Sequence, residues 1–353
     1  MKKILMVVLV VALVLSMVAC GQAPQPAASE SASAAAPTEA AEQSPAADTG
    51  KDAGTDGAYK VAYLVADLEN PAWKATADGF EAKAKELGMD PKSFNSGGNA
   101  GTQLQNAQDV STMGYDAVVI CGTDSASASS AIKEFNKAGI PAWVLHIAPD
   151  DEAVQYEGMV DAQNTDGCYE AGKYLAEKYA EKGLTGKAAT ITISLARSNG
   201  QARHAGFEKA MKEADIEIGY IKEAVDYTRD ESYKFTQDLL TANDDISILY
   251  CNYDEAVLGA MKAVQDAGRE DVIVLGGFDG SPESLSATKD GKISVMAIQP
   301  LFTHGQMISQ QMFDFLKDGK AGEKVSTPCP LVTVENAAET VDGVLDSTFG
   351  PQG

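Results

Sequence analysis

Asp279 stands in Phe278-Asp279-Gly280, just beyond the apolar run Val272–Leu275. A carboxylate at the end of a buried strand can accept hydrogen bonds from hydroxyl groups, each worth ~1.5–3 kcal/mol when charge-assisted. The competing role is a turn aspartate that serves only Gly280. Other polar and aromatic residues stand at similar places. Cys121 follows Ala117–Ile120, His146 follows Ala142–Leu145, Asn252 and Tyr253 follow Ile246–Cys251, and Asn70 and Trp73 come soon after Lys60–Ala66. In open parallel sheets ligands sit beyond the carboxyl ends of the strands, so this placement nominates all seven.

These residues do not add up to a catalyst. The chain has no Gly-x-Ser-x-Gly elbow, His-Glu-x-x-His or Walker loop, the spacings that nucleophilic, zinc and phosphate chemistry require. Ser96-Gly97-Gly98-Asn99-Ala100-Gly101 has the wrong spacing for a phosphate cradle and reads as a strand-to-helix turn. His146, His204 and His304 are far apart, with no carboxylate or cysteine at ligand spacing, so no metal, cofactor or enzymatic activity is expected.

The elements that must hold these residues follow from the pattern of apolar runs. Short runs alternate with amphipathic stretches of helical period, which predicts parallel sheets covered by helices. Strands are expected at 60–66, 117–121, 142–146, 188–193, 246–251, 271–276 and 293–298. Helices are expected at 70–87, 101–113, 125–138, 166–182, 201–214, 232–242, 255–267 and 302–318. The pattern also repeats. Cys121-x-x-Asp124 and Cys251-x-x-Asp254 each close an apolar run, and each is followed by Ala-x-Lys, Ala-Gly and a strand with Val-Leu. Spacing equal to within one residue suggests two lobes of one topology, although two generic strand–helix–strand units would also match.

As a set, several phrases resemble the type I periplasmic binding proteins of the ribose and galactose kind. They are Asn70-Pro71-Ala72-Trp73, Tyr115–Ile120, Ala138–Pro141, Tyr253–Ala256 with Leu258–Ala260, and Gly277–Pro282. The resemblance runs from about Tyr59 to Val334. It implies two Rossmann-like α/β lobes with parallel sheets, joined by a three-crossing hinge. Lobe one would take residues 58–161 and 300–320, and lobe two residues 162–299 and 321–353. It adds Gln201, Arg203, Tyr227 and Gln299 to the residues facing the cleft. Trp73, Tyr227 and Tyr253 are then either packing residues or platforms for the apolar faces of a sugar ring. Arg203 either holds the ligand or pairs with a nearby carboxylate.

The resemblance breaks at one point: His146-Ile147 stands where many pyranose binders of this family have Asp-Arg. Pentoses, polyols, furanose forms or a sugar-like signalling compound fit that difference better than glucose or galactose. With Arg203 as the one fixed cation among the nominated residues, the expected ligand is neutral and hydroxyl-rich. Cys121, Cys168, Cys251 and Cys329 are an even set that permits disulfides. Cys121 and Cys251 would face each other from opposite lobes, where a bridge would oppose hinge motion, so buried free thiols are the preferred reading.

The N-terminus fits an exported protein. Lys2 and Lys3 precede an apolar run from Ile4 to Leu15, shorter than the roughly 20 residues of a membrane span. Ala19-Cys20 then resembles the bacterial lipobox, with Met17 in place of the usual Leu, so residues 1–20 are expected to be a lipoprotein signal with Cys20 lipidated. Residues 21–57 contain no Leu, Ile, Val or aromatic residue and are expected to be a disordered linker spanning about 35 Å. Lys and Arg number 28 against 51 Asp and Glu, which argues against a nucleic-acid partner. A repressor of the same two-lobed core would carry a helix-turn-helix where the signal and linker stand.

The expected partners are a small polar ligand, the membrane through the lipid anchor, and an ABC permease, with the protein itself a monomer. A receptor that presents ligand to a sensor kinase or chemoreceptor is the alternative, and an extracellular enzyme on the same scaffold is a third, weaker one. Replacing the lipidation candidate, Cys20→Ser, is expected to move the protein from the membrane to the soluble fraction. Equal membrane retention on fractionation would contradict the anchor.

Overall fold

The computed structural model describes residues 57–351, so the signal, Cys20 and all but the last residue of the linker lie outside the described residues. The chain begins with β1 (Lys60–Val65), α1 (Pro71–Glu86), β2 (Asp90–Asn95), α2 (Ala100–Val110), β3 (Ala117–Ile120), α3 (Ser125–Ala138), β4 (Ala142–Leu145) and β5 (Gly158–Ala162). It continues through α4 (Asn164–Glu181), β6 (Lys187–Thr192), α5 (Ser198–Glu213), β7 (Ile218–Glu223), α6 (Arg229–Ala242), β8 (Ile246–Cys251), α7 (Asp254–Asp266), β9 (Val274–Asp279), α8 (Pro282–Lys289) and β10 (Val295–Ile298). The last elements are α9 (Leu301–Asp318), β11 (Lys324–Thr327), β12 (Leu331–Thr333) and α10 (Ala337–Phe349).

Two six-stranded sheets result, in the orders β11-β5-β4-β3-β1-β2 and β12-β10-β9-β8-β6-β7. All pairings are parallel except β10 with β12. The chain passes between the sheets after β5, after β10 and after β11. Residues 324–327, assigned to lobe two from the sequence, instead form β11, which pairs with β5 at the edge of the first sheet. The third crossing therefore comes after Thr327.

Alternation along each central strand feeds two apolar layers. Val61, Tyr63, Val119 and Leu145 point to one face of the first sheet, and Ala62, Leu64, Val118, Ile120 and Val144 to the other. Burial on both faces is why these strands read as unbroken apolar runs. The four edge strands β2, β7, β11 and β12 do not read that way, nor does β5. β2, for instance, is Asp-Pro-Lys-Ser-Phe-Asn, with no fully buried residue. β9 lies three residues later than expected because the strand runs on through Gly276 and Gly277. Leu175 crowds Gly276, Val257 crowds Gly277 and the Met296 sulfur lies 2.6 Å from where a Cβ on Gly277 would be, so no larger residue fits there.

The two repeat aspartates both turn out to hold helix starts. Asp124 caps α3 in a reciprocal capping box with Ser127. Asp254 reaches across to α8, accepting from Ser281 N and Ser284 Oγ at 2.7 Å each. The paired cysteines do not face each other. Cys121 and Cys251 are fully buried in separate cores, one per lobe, and all four cysteines among the described residues are free thiols.

Helices α1 and α9 pack at unusually short range through glycine. A Cβ on Gly79 would lie 2.0 Å from Phe302 O, and one on Gly305 2.1 Å from Thr76 O. The C-terminal helix α10 lies against α8 and β12 of the second lobe and against α9 and α1 of the first. Gly305→Val is expected to cost about 1–3 kcal/mol, since backbone cannot yield as a side chain can. A reduced urea midpoint would report it, with Gly343→Ala, where no atom crowds the added methyl, as the neutral or stabilising control.

Candidate functional site

The strand ends of the two sheets meet at a small, nearly filled pocket lined by Asn70, Trp73, Arg197, Asn199, Arg203, Tyr227, Tyr253, Asp279 and Gln299, with Ala72 and Ile193. Asn70 caps α1, its Oδ1 accepting from Ala72 N at 2.9 Å. Pro71 fixes the first helical residue, so Trp73 is presented one turn into α1 and is only 8% exposed.

Arg203 is the most heavily bonded group in the site. It projects from α5 and is 2% exposed. Its Nε donates to Asn164 Oδ1 at 2.8 Å, and its two Nη groups donate to Asn252 O at 2.7 Å and Gln299 Oε1 at 2.6 Å. One Nη also lies 3.3 Å from Asp279 Oδ1, and the guanidinium stacks over the Phe278 ring at 3.8 Å. Asp279 ends β9, with its strand partner Ile298 placing Gln299 beside it. Burial pushes the Asp279 carboxyl above the usual carboxylate range, opposed by Arg203. Burial, with the charge of Asp279 as the lesser cause, pushes Asp254 up to about 8.

His146 stands behind this layer and does not line the pocket. It is fully buried, with its ring 5.3 Å from Trp73 and 5.2 Å from His304. Its Nδ1 lies 2.8 Å from Gln299 Nε2 and 3.7 Å from Asp161 Oδ1. Because Arg203 can only donate, Gln299 turns its oxygen to Arg203 and its NH2 to His146. Nδ1 is therefore the acceptor, and the His146 proton sits on Nε2, facing Thr76. His146 is thus a support for Gln299 and Trp73.

Three further nominations are also corrected by their surroundings. Cys121 is fully buried in the first-lobe core, where burial pushes its thiol up to about 12. The Asn252 side chain is spent on Ile193 N at 2.8 Å and Thr192 Oγ1 at 2.6 Å, which fixes the β6–β8 strand ends. Gln201 is exposed and bonds Leu195 O. The expected start of α5 at Gln201 is three residues late. With the helix beginning at Ser198, residue 199 shares a face with Arg203, and residue 201 points about 200° away.

The longer helix also brings in Arg197 and Asn199, which the sequence reading missed. Arg197 reaches across to the first lobe, its Nε donating to Thr123 O at 2.7 Å, and lies over the Tyr227 ring at 4.4 Å. The same turn is tied to lobe one by Ser198 N to Ser125 Oγ at 3.1 Å, Ala148 N to Ser198 Oγ at 2.8 Å and Ser125 N to Ala196 O at 3.2 Å. The single-cation expectation is therefore corrected, because Arg197 is a second fixed cation in the pocket. The rim is acidic, however. Asp67, Glu69, Asp226 and Glu255 line the wider cleft outside, where Arg229 is already paired with Glu255 and Glu283.

Backbone strain gathers here too. Among the described residues four non-glycine positions have positive φ, and three are His146 at 62°, Tyr227 at 56° and Asp279 at 91°. Such conformations cost roughly 1–3 kcal/mol each and persist where the surroundings over-determine them. Tyr227 is held by its hydroxyl accepting from Ser194 N and by Arg197 above the ring.

Comparison with known proteins agrees with this architecture. The family model described as periplasmic binding protein domain matches residues 61–321. The ribose import binding protein of Salmonella typhimurium is 33% identical over 238 residues, which cover 66% of this chain and 76% of that protein. The D-apiose import binding protein of Actinobacillus succinogenes is 28% identical over 277 residues, 76% of this chain and 86% of that one. Among solved structures, a Caulobacter myo-inositol binding protein superposes with a TM-score of 0.75 at 22% identity, over 81% of this chain and 97% of its own. Sheet order, crossings and sequence matches lead to one assignment: this chain belongs to the periplasmic binding protein family.

Proposed function

We propose that this protein is the substrate-binding lipoprotein of an ABC importer, exported and held at the membrane by Cys20. It captures a small neutral sugar or sugar-like solute by hinge closure and delivers it to the permease. The observation that carries this reading is the inner pocket. Asp279 offers an acceptor, Asn70 and Arg203 offer donors, and Trp73, Tyr227 and Tyr253 offer faces for a ring, all at the meeting of two lobes. Hydroxyl groups can donate to the carboxylate and accept from the guanidinium at once. Relatives that match over most of their length include import binding proteins for ribose and D-apiose and a D-allose-binding periplasmic protein.

A neutral ligand fits the charges. Arg203 faces Asp279, and the ring of carboxylates at the cleft mouth disfavours an approaching anion. His146-Ile147 in place of the pyranose-type pair favours pentoses, polyols and furanose forms. The bonds from Arg197, Ser198 and Ser125 between the lobes are the contacts a ligand-closed form would use, and binding would shift the population towards it. No step of chemistry on the ligand is needed. Among the described residues no cluster of His, Cys, Asp and Glu could hold a metal.

A thermal-shift panel of D-ribose, D-apiose, D-allose and myo-inositol should contain a stabilising compound, while carboxylates and phosphate esters should not stabilise. Stabilisation only by an amino acid, organic acid or phosphate ester would end the sugar reading. Asp279→Ala is expected to weaken binding of the stabilising compound ~10-fold or more by calorimetry. Unchanged affinity would remove Asp279 from the contacts.

A further inference from the structure

Asn199 is 1% exposed, lines the inner pocket, and has no hydrogen-bond partner on either Oδ1 or Nδ2 among the described residues. A buried carboxamide with both ends unpaired is costly, and native structures seldom keep one without a use. It is also held firmly in place. Asn199 lies in the first turn of α5, one helical turn before Arg203 on the same face. Gly200 beside it allows the chain to double back, since a Cβ there would lie 2.3 Å from Ser194 O. Ser198, its other neighbour, is hydrogen-bonded to lobe one through both its N–H and its hydroxyl.

We propose that Asn199 is a specificity-determining residue that selects a ring bearing two adjacent hydroxyl groups, one donating to Oδ1 and the other accepting from Nδ2. This rests on the sugar-binding reading of the pocket. A carboxamide presents an acceptor and a donor side by side, and a vicinal diol is the neutral group that meets both. A ligand lacking either hydroxyl leaves one end of the buried amide unpaired, which is how such sites reject close analogues. Because Asn199 is next to Ser198, the diol also braces the turn that holds the lobes together.

The test uses Asn199→Ala, which removes both polar atoms and adds no bulk. Binding of D-ribose, D-apiose, D-allose and myo-inositol and of their monodeoxy derivatives is measured by calorimetry for the wild type and the variant. The wild type should prefer the best parent sugar over at least one monodeoxy derivative by about 10- to 100-fold. In the variant the parent should fall to the level of that derivative and the gap should close. The unliganded variant should melt at the same or a higher temperature, because an unpaired amide has been removed from a buried place. A gap that persists in the variant, or an unliganded variant that melts lower, overturns the proposal. If no sugar binds the wild type, the functional reading itself fails, and the unliganded melting comparison still decides whether Asn199 has a structural partner.

Discussion

The arrangement of the cleft depends on one buried cation. Arg203 carries a planar fork of donors into a place almost closed to water, and the cost of desolvating it is several kcal/mol unless every direction is answered. The answers come from different segments. Asn164 lies just past the first crossing, Asn252 O at the end of β8, Gln299 in the second crossing and Asp279 at the end of β9. Satisfying one guanidinium therefore fixes four chain segments relative to one another. Removing either member of the Arg203–Asp279 pair leaves the other buried without its counter-charge, a loss of about 3–5 kcal/mol in comparable pairs.

The same set of contacts extends across the hinge through His146. The ring receives the Gln299 amide on one nitrogen and faces Thr76 of α1 with the other, and packs against Trp73 and His304 with the rings tilted by 42° and 41°. His304 in turn bonds Thr327 at 2.6 Å, at the third crossing. Asp161, bonded to Asn164 at 2.9 Å, brings in the first. All three passages of the chain between lobes thus meet one cluster of hydrogen bonds and ring contacts. The positive φ at His146 is the local strain that lets its ring turn inward.

Much of this was legible in the sequence, and the parts that were not share physical causes. Central strands announced themselves because both faces are buried, whereas β2, β7, β11 and β12 are sheet edges whose half-polar composition blends into loops. The lobe boundary implied by the resemblance fell before β11, with no apolar run to mark that strand, and so a stretch of chain went to the wrong lobe. Strand-end logic located Asn70, Trp73, Tyr253 and Asp279, yet it could not tell a residue facing the cleft from one spent beneath it, as Cys121, His146 and Asn252 are. Gln201 was carried over from the resemblance and lies exposed, while Asn199 was missed because the helix start was set three residues late. The signal was present in Ser198-Asn199-Gly200, small and polar residues of the kind that open a helix. Arg197 left no such mark, because its importance comes only from Thr123 across the gap.

The C-terminal helix has a mechanical consequence. Since α10 rests on α8 and β12 on one side of the hinge and on α9 and α1 on the other, any rotation of one lobe against the other must shear one of those two contacts. A closing motion of the kind proposed would be confined to directions in which these contacts can glide, so the C-terminal segment would steer the lobes as well as cap them.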